Sequence, residues 1–311
     1  MYGSQRRRST RALLGSVAAV TALFLTSCSG SGDDSTGDDA YTVEHAMGST
    51  VVDGTPERIV VIDSPHLDAL VALGITPVGA TESGAAAGFP GYLADELDGT
   101  TSVGLTMEPD LEAIANLAPD LIIGAKVRHE ALYEQLSAIA PTVFSENSGT
   151  DWQEQADITA AAVNRSDEMD TLLTAVSDRA VEVGEKVGAD GRTASIVRFR
   201  PENFRLYGPS TFSGSILTQV GFDLGQRDWN EYSMLELSPE MFPQIDGDVV
   251  FFTNPSGDPN VGTMATVTGL WGAQPAVAAG NVHEMEDETW MVGIGVVGAN
   301  LILDQIESAL A

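Results

Sequence analysis

Three arginines, Arg198, Arg200 and Arg205, fall within eight residues of a 311-residue chain that sets 45 acids against 15 basic residues. In so acidic a chain, clustered cations carry information. Arginine offers a planar, permanently charged donor fork suited to the oxygens of carboxylates, hydroxamates or catecholates. On a strand, Arg198 and Arg200 would share one face. Lys126 and Arg128 form a second small group, just after an apolar run that ends at Gly124. Tyr207, Trp229, Trp271 and Trp290 all fall in the second half and could wall an apolar ligand face or stack on arginine. Phe89 and Met107 are weaker candidates from the first half. The alternatives are ordinary: a surface ion pair for each arginine, and core packing for the aromatics, Trp271 above all.

Other chemistries find little support. His45, His66, His129 and His283 are scattered, with no H-x-x-x-H or Cys/His spacing, so no metal site is expected. There is no G-x-S-x-G elbow, no G-x-G-x-x-G between a strand and a helix, and no Walker sequence. The chain therefore reads as a binding protein rather than an enzyme. A secreted hydrolase is the minor alternative.

The N-terminus speaks of location. Arg6, Arg7, Arg8 and Arg11 precede an apolar run, Ala12 to Leu25, that is too short for a typical spanning helix. The run ends in Leu25-Thr26-Ser27-Cys28, which resembles the lipobox of bacterial lipoproteins. That resemblance implies a signal peptide over 1–27, cleavage before Cys28, lipidation of Cys28, and a chain held at the outer face of the cell membrane. Cys28 is the only cysteine, so the mature chain has no internal disulfide and no thiol for catalysis. Residues 29–39 are Gly, Ser, Thr and Asp only, and 28–40 reads as a flexible tether. Cleavage removes four of the 15 basic residues and no acid, leaving 11 against 45. Such a charge argues against nucleic acid and against anionic lipid as partners.

These side chains need elements to hold them. Met169, Leu172, Leu173, Val176, Ala180, Val183 and Val187 recur at steps of three and four. That spacing predicts one long amphipathic helix from Ser166, its expected N-cap, to Val187. Before it, strands and helices alternate. The reading is a hairpin over 41–53, strands at 58–62, 76–80, 102–104, 120–124 and 141–144, and helices at 65–73, 90–97, 110–117, 129–139 and 151–163. After it come strands at 195–199, 222–224, 248–252 and 281–285, and helices at 213–220, from 238, and 290–310. The alternation predicts parallel α/β sheets.

Two pieces echo each other. Leu111-Glu112-Ala113-Ile114, then Pro119-Asp120 leading an apolar run, resembles Pro239-Glu240-Met241-Phe242, then Gly247-Asp248 leading another. Leu70 to Gly74 resembles Leu217 to Gly221. Two α/β lobes, 41–164 and 189–311, joined by a bridging helix over 165–188, would leave a ligand cleft between them.

With that plan the chain resembles the iron-siderophore substrate-binding lipoproteins of ABC importers, class III periplasmic-type binding proteins, over residues 41–311. The resemblance rests on Pro56 to Val61, Leu67 to Gly79, Leu117 to Ile123, Ile139 to Val143, and the spacing of Trp290, Gly293 and Gly295. It implies two lobes with little hinge motion and no cofactor. It implies a ligand that is a ferric siderophore, an already chelated Fe(III), and an ABC permease as partner. The family docks each lobe on its permease through an acidic residue, and the matching positions are Glu112 and Glu240. The expected ligand-binding residues are Arg128, Arg198, Arg200, Arg205, Tyr207, Trp229 and Trp290, in a monomer. Haem, cobalamin or a bare metal ion are the alternative cargoes.

Overall fold

The computed structural model describes residues 40–83, 88–260 and 262–311. Cys28, the signal peptide and the tether lie outside the described residues. No helix among the described residues is long and apolar enough to cross a membrane.

The first sheet is built from runs that the sequence marks as apolar. β1 (Tyr41–His45) and β2 (Gly48–Val52) make the expected hairpin, with Tyr41 opposite Val52. Beyond it lie β3 (Ile59–Val61), α1 (Ser64–Ala72), β4 (Gly79–Glu82), β5 (Thr101–Leu105) and β6 (Glu108–Pro109). Then follow α2 (Leu111–Asn116), β7 (Leu121–Ala125), α3 (Lys126–His129), α4 (Tyr133–Ser137), β8 (Thr142–Ser145) and α5 (Trp152–Ala162). The sheet order is β6-β5-β4-β3-β7-β8, parallel except at the β5–β6 edge. The helix expected over 90–97 is only a 3-10 turn at Gly91–Leu93, with turns after it.

α6 (Ser166–Val187) is one 22-residue helix, about 33 Å long at 1.5 Å per residue. It ends where Gly188 turns left-handed at φ 63°, a conformation that glycine adopts without steric cost. Ser166 is not the cap. It is the first helical residue, and Arg165 stands at the cap position without a capping side chain, its guanidinium turned to Glu168.

The second sheet follows α6: β9 (Ala194–Phe199), β10 (Phe204–Tyr207), α7 (Phe212–Val220), β11 (Met234–Leu237), β12 (Val249–Thr253), α8 (Gly262–Thr268), α9 (Pro275–Ala279) and β13 (Val282–Met285). The chain ends in α10 (Asp287–Met291) and α11 (Val296–Leu310). The sheet order is β11-β10-β9-β12-β13. β9, β12 and β13 are parallel, but β10 and β11 are antiparallel additions that the strand–helix alternation did not predict. Residues 222–224 are not a strand. Asp223 makes a single bridge to Thr193. The expected helix over 290–310 is two helices broken between Met291 and Val296.

Period-two alternation divides the core. Ile59, Val61, Leu121 and Ile123 face one way in the first sheet, and Ile196, Val249 and Phe251 in the second. All of these join a single buried cluster with α1, α5, α6, α7 and α11. Val60, Ile62 and Ile122 face the opposite side of their sheet, and Val197, Val250 and Phe252 the opposite side of theirs. Both sheets thus rest on one helical core. Gly184 of α6 allows close approach, since a Cβ there would collide with the Val220 carbonyl of α7.

Candidate functional site

A cavity of about 260 Å³ opens between the two sheets. The first half contributes Arg128 of α3 and Ser148 to Thr150, which follow β8. The second contributes Arg205 and Tyr207 of β10, Met234 of β11, Trp290 and Met291 of α10, and Ile294. Most of these follow the carboxyl ends of parallel strands, the usual place for a ligand in open α/β sheets. Thr150 and Thr211 form an isolated antiparallel bridge beside it, and the Trp152 indole donates to Ser215 Oγ at 3.0 Å across the same seam.

The cavity is cationic and mostly apolar. Arg205 lies opposite Glu236 in register, and their side chains pair at 2.8 Å. Burial works against the charge of Arg205, but Glu236 and Tyr207 outweigh it and hold the guanidinium pKa above its ordinary value. Arg128 Nε stands 3.6 Å from Oδ2 of Asp63, a buried carboxylate whose other oxygen accepts from the Ser64 amide at the head of α1. Apart from this ion pair, the Arg128 side chain makes no hydrogen bond among the described residues, and it lines the cavity. Tyr207 adds a hydroxyl, and Met234, Met291 and Ile294 add apolar wall.

Four of the seven expected ligand residues, Arg128, Arg205, Tyr207 and Trp290, therefore line one cavity. Trp290 is only 1% exposed, lies 5.2 Å from Phe251 between ring centroids, and donates to Gln305. It backs the wall more than it offers a face. The other three lie elsewhere. β9 ends at Phe199, so Arg198 and Arg200 are not a same-face pair on one strand. Arg198 is held by Asp287. Arg200 lines a separate cavity of about 450 Å³ with Phe199, Pro201, Asn254 and Pro255. Trp229 packs on Gly208 and under Arg227, 5.7 Å from its guanidinium carbon. Trp271 belongs to the core with Phe199 and Phe252.

The strands β10 and β11 are what sequence reasoning missed, and with them Tyr232, Met234 and the pairing that orients Arg205. The signal was present in Phe204-Arg205-Leu206-Tyr207, where apolar and polar residues alternate and the first and third are buried.

His45, His66 and His129 are each held by hydrogen bonds within the fold. His66 is buried between Thr159 Oγ1 at 2.7 Å and Ser145 Oγ at 3.1 Å, and burial pushes its pKa down to about 4. His129 Nε2 lies 2.8 Å from the Thr106 carbonyl, and burial lowers its pKa as well. Among the described residues no three His, Cys, Asp or Glu side chains are placed to hold a metal ion.

The repeat has a structural counterpart. Asp120 accepts from the Glu57 and Arg58 amides just before β3, the parallel neighbour of β7. Asp248 accepts from the Thr193 amide just before β9, the parallel neighbour of β12. Glu112 stands eight residues before Asp120 and Glu240 eight before Asp248. Each is exposed in the first turn of its helix, α2 for Glu112 and, for Glu240, a 3-10 helix over Pro239–Gln244 where a helix from 238 was expected. Asp110 caps α2 by accepting from the amides of Glu112 and Ala113, both at 3.0 Å. Glu240's own amide and Ser238 hold the Glu240 carboxyl below the usual carboxylate range.

Comparison with known proteins agrees with this geometry. The chain is 38% identical over 86% of its length to the "Probable siderophore-binding lipoprotein YfiY" of Bacillus subtilis, covering 86% of that protein. It is 32% identical over 88% of its length to the Fe(3+)-citrate-binding protein YfmC of the same organism, covering 89% of it. Among solved structures, Staphylococcus aureus SirA complexed with staphyloferrin B superposes with a TM-score of 0.75 at 29% identity, over 87% of this chain and 98% of that one. The periplasmic binding protein family model matches residues 59–289. The chain is therefore a non-catalytic binding protein, two α/β lobes about a helical core, and belongs to the periplasmic binding protein family.

Proposed function

We propose that the chain is a lipid-anchored receptor, tethered through Cys28 at the outer face of the membrane, that captures an anionic ferric chelate and passes it to the permease of an ABC importer. The observation that carries this reading is the cavity where Arg128 from one half meets Arg205 and Tyr207 from the other. An Fe(III) already wrapped by its chelator needs no protein ligands. It needs a fitted wall and donors for the anionic oxygens at its rim, and two arginines and a tyrosine supply them. The named ligands of the relatives, a siderophore, ferric citrate and staphyloferrin B, are of the same broad kind. Among chelate classes, two converging guanidiniums favour one with carboxylate groups at its surface.

The test is tryptophan fluorescence titrated with ferric citrate, a ferric hydroxamate, a ferric catecholate, haemin, cobalamin and Zn²⁺, with gallium complexes to separate binding from quenching by iron colour. Saturation by ferric citrate or another carboxylate chelate, absent with Zn²⁺, is the expected outcome. Saturation only by haemin or cobalamin would keep the receptor and replace its cargo. A flat response throughout would reject the ligand reading.

A further inference from the structure

Asp68, in the middle of α1, is fully buried and does not line the cavity. Three donors converge on it from two other elements. The Val297 amide donates to Oδ1 at 2.8 Å, the Gly298 amide to Oδ2 at 3.0 Å, and the Tyr92 hydroxyl to Oδ2 at 3.0 Å. Two of these donors are amides of the first turn of α11, which have no partner within their own helix. The third comes from the loop before β5. One carboxylate of the first half therefore ties down the start of the C-terminal helix and a loop of its own half together.

The glycines around it are shaped to this contact. A Cβ on Gly295 would lie 2.3 Å from Asp68 Oδ1, and the residue sits at φ 154°. A Cβ on Gly293 would lie 2.7 Å from the Tyr92 ring. Gly298 is pressed against the Gly293 carbonyl, where any side chain would collide. The series Gly293, Gly295, Gly298 is thus a cradle that lets Asp68 and Tyr92 reach backbone, and it explains the break between α10 and α11. The same short break, with the end of α10, carries three residues of the cavity wall: Trp290, Met291 and Ile294.

We propose that Asp68 is a positioning residue for ligand capture: by gripping the first turn of α11 it fixes the 290–294 wall of the cavity against the opposite half of the molecule. The inference rests on reading that cavity as the ligand site. Asp68 acts through the turn, not by touching the ligand. Its environment also makes it sensitive to protons. Burial raises its pKa to about 6 in spite of the three donors. The groups that face it are few. Tyr92, whose own pKa is driven well above the usual value by burial and by Asp68, donates from the loop. Glu288 of α10 bears on Tyr92 and accepts from the Gly91 amide at 3.0 Å. α11 offers only uncharged amides, and Arg179 of α6 is engaged farther along with Asn300 and Asp304. On α1 itself, His66 is turned to Thr159 and Ser145. Protonation replaces a triple acceptor by a group that must itself donate, which loosens the grip.

The test begins without any substitution. Amide resonances of Val297 and Gly298, followed between pH 4.5 and 8 (about 1.5–2 units either side of Asp68's pKa), are expected to titrate together with a midpoint about 6. Asp68→Asn should abolish that titration. With 5-fluorotryptophan in the chain, Asp68→Asn should shift the Trp290 fluorine resonance. Arg179→Ala, which only loosens α11 farther along, should leave it in place. Affinity for ferric citrate should drop about tenfold or more in Asp68→Asn and hold in Arg179→Ala. Flat amide shifts in the wild-type protein, or a Trp290 resonance unmoved by Asp68→Asn, would overturn the proposal. So would unchanged affinity in that variant. A wild-type protein that binds no chelate defeats the ligand reading instead, and the amide and fluorine signals still decide whether Asp68 sets the wall.

Discussion

Arg198 Nη2 lies 2.6 Å from Asp287 Oδ2, and this pair joins β9 to the first turn of α10. Each side chain is only 16% exposed, and the Thr253 hydroxyl donates to the other Asp287 oxygen at 2.7 Å. Burial opposes the Arg198 charge, but Asp287 and Tyr207 more than offset it and raise the guanidinium pKa. The next residue of α10, Glu288, accepts from the Gly91 amide of the first half. α10 is therefore a strut between the halves, and Arg198 is committed to the strut. Arg198→Ala is expected to lower stability by about 1.5–3 kcal/mol, the range for a hydrogen bond to a charged partner. Urea unfolding should show a lower midpoint with an unchanged slope. A midpoint equal to wild type would return Arg198 to the ligand.

Arg128 and Arg205 line the cavity, so their loss should be felt first at the ligand. Arg205 is partly exposed and its partner Glu236 is half in solvent, so the pair itself contributes about 0–1 kcal/mol to the fold. A ligand carboxylate in the cavity meets both guanidiniums with water excluded, where each contact is worth more. Arg128→Ala and Arg205→Ala should each weaken a carboxylate-bearing ferric chelate about tenfold or more. The melting temperature should stay nearly unchanged in Arg205→Ala and fall in Arg128→Ala, which leaves the buried Asp63 carboxylate without its ion-pair partner. The double variant should lose most of the salt dependence of binding, since little charge is left to screen. Equal weakening of a neutral hydroxamate chelate would mean that the arginines shape the wall rather than read charge.

Much of the scaffold was legible because its signals are local. The bounds of α6 follow from apolar spacing at one end and Gly188 at the other. β3, β7 and β12 are buried on both faces, and each reads as an unbroken apolar run. What resisted reading depends on distant partners. β10 and β11 are four-residue strands, β11 at the sheet edge, whose identity lies in pairing with β9 and each other. Arg198 looks like a ligand group until Asp287, 89 residues away, is placed beside it. Gly293, Gly295 and Gly298 fall inside the helix expected over 290–310. Their purpose appears only with Asp68, some 230 residues earlier in the chain. The cavity was legible as a set of residue types, and its membership was decided by strand register.

Two buried groups make the response to acid a balance. His66, with a folded pKa of about 4 against 6.5 when unfolded, is neutral in the fold. Between those values the unfolded chain binds the extra proton, so this term removes stability as pH falls from 6.5 to 4. Asp68, at about 6 in the fold against 3.8 unfolded, works the other way. There the folded chain binds the extra proton, and the term adds stability as pH falls from 6 to 3.8. In Asp68→Asn the opposing Asp68 term is gone, while the His66 term remains, aided by His129, His45 and His283, whose pKa values burial also lowers. Its melting temperature should fall more steeply than wild type between pH 6.5 and 4, whereas that of His66→Gln should fall less steeply. Calorimetric profiles that run parallel for all three proteins would reject this assignment.

Glu112 and Glu240 are the remaining pair that the fold places equivalently. Each is exposed in the first turn of a helix, and each precedes the aspartate that clamps a neighbouring strand. Neither lines the cavity. We expect them to grip cationic side chains of the permease, one from each lobe. The reading separates two functions that share one chain. Glu112→Lys and Glu240→Lys should leave chelate affinity unchanged and lower the melting temperature only slightly, through the lost contact with the helix N-terminus. Each should reduce chelate-dependent stimulation of the permease ATPase in proteoliposomes about tenfold or more, because a lost attraction becomes a like-charge contact. Restoring activity by a reversed charge on the permease would identify the partner arginine or lysine directly. If both variants stimulate as wild type does, the two acids serve only their own helices, and docking must be sought on another face of the lobes.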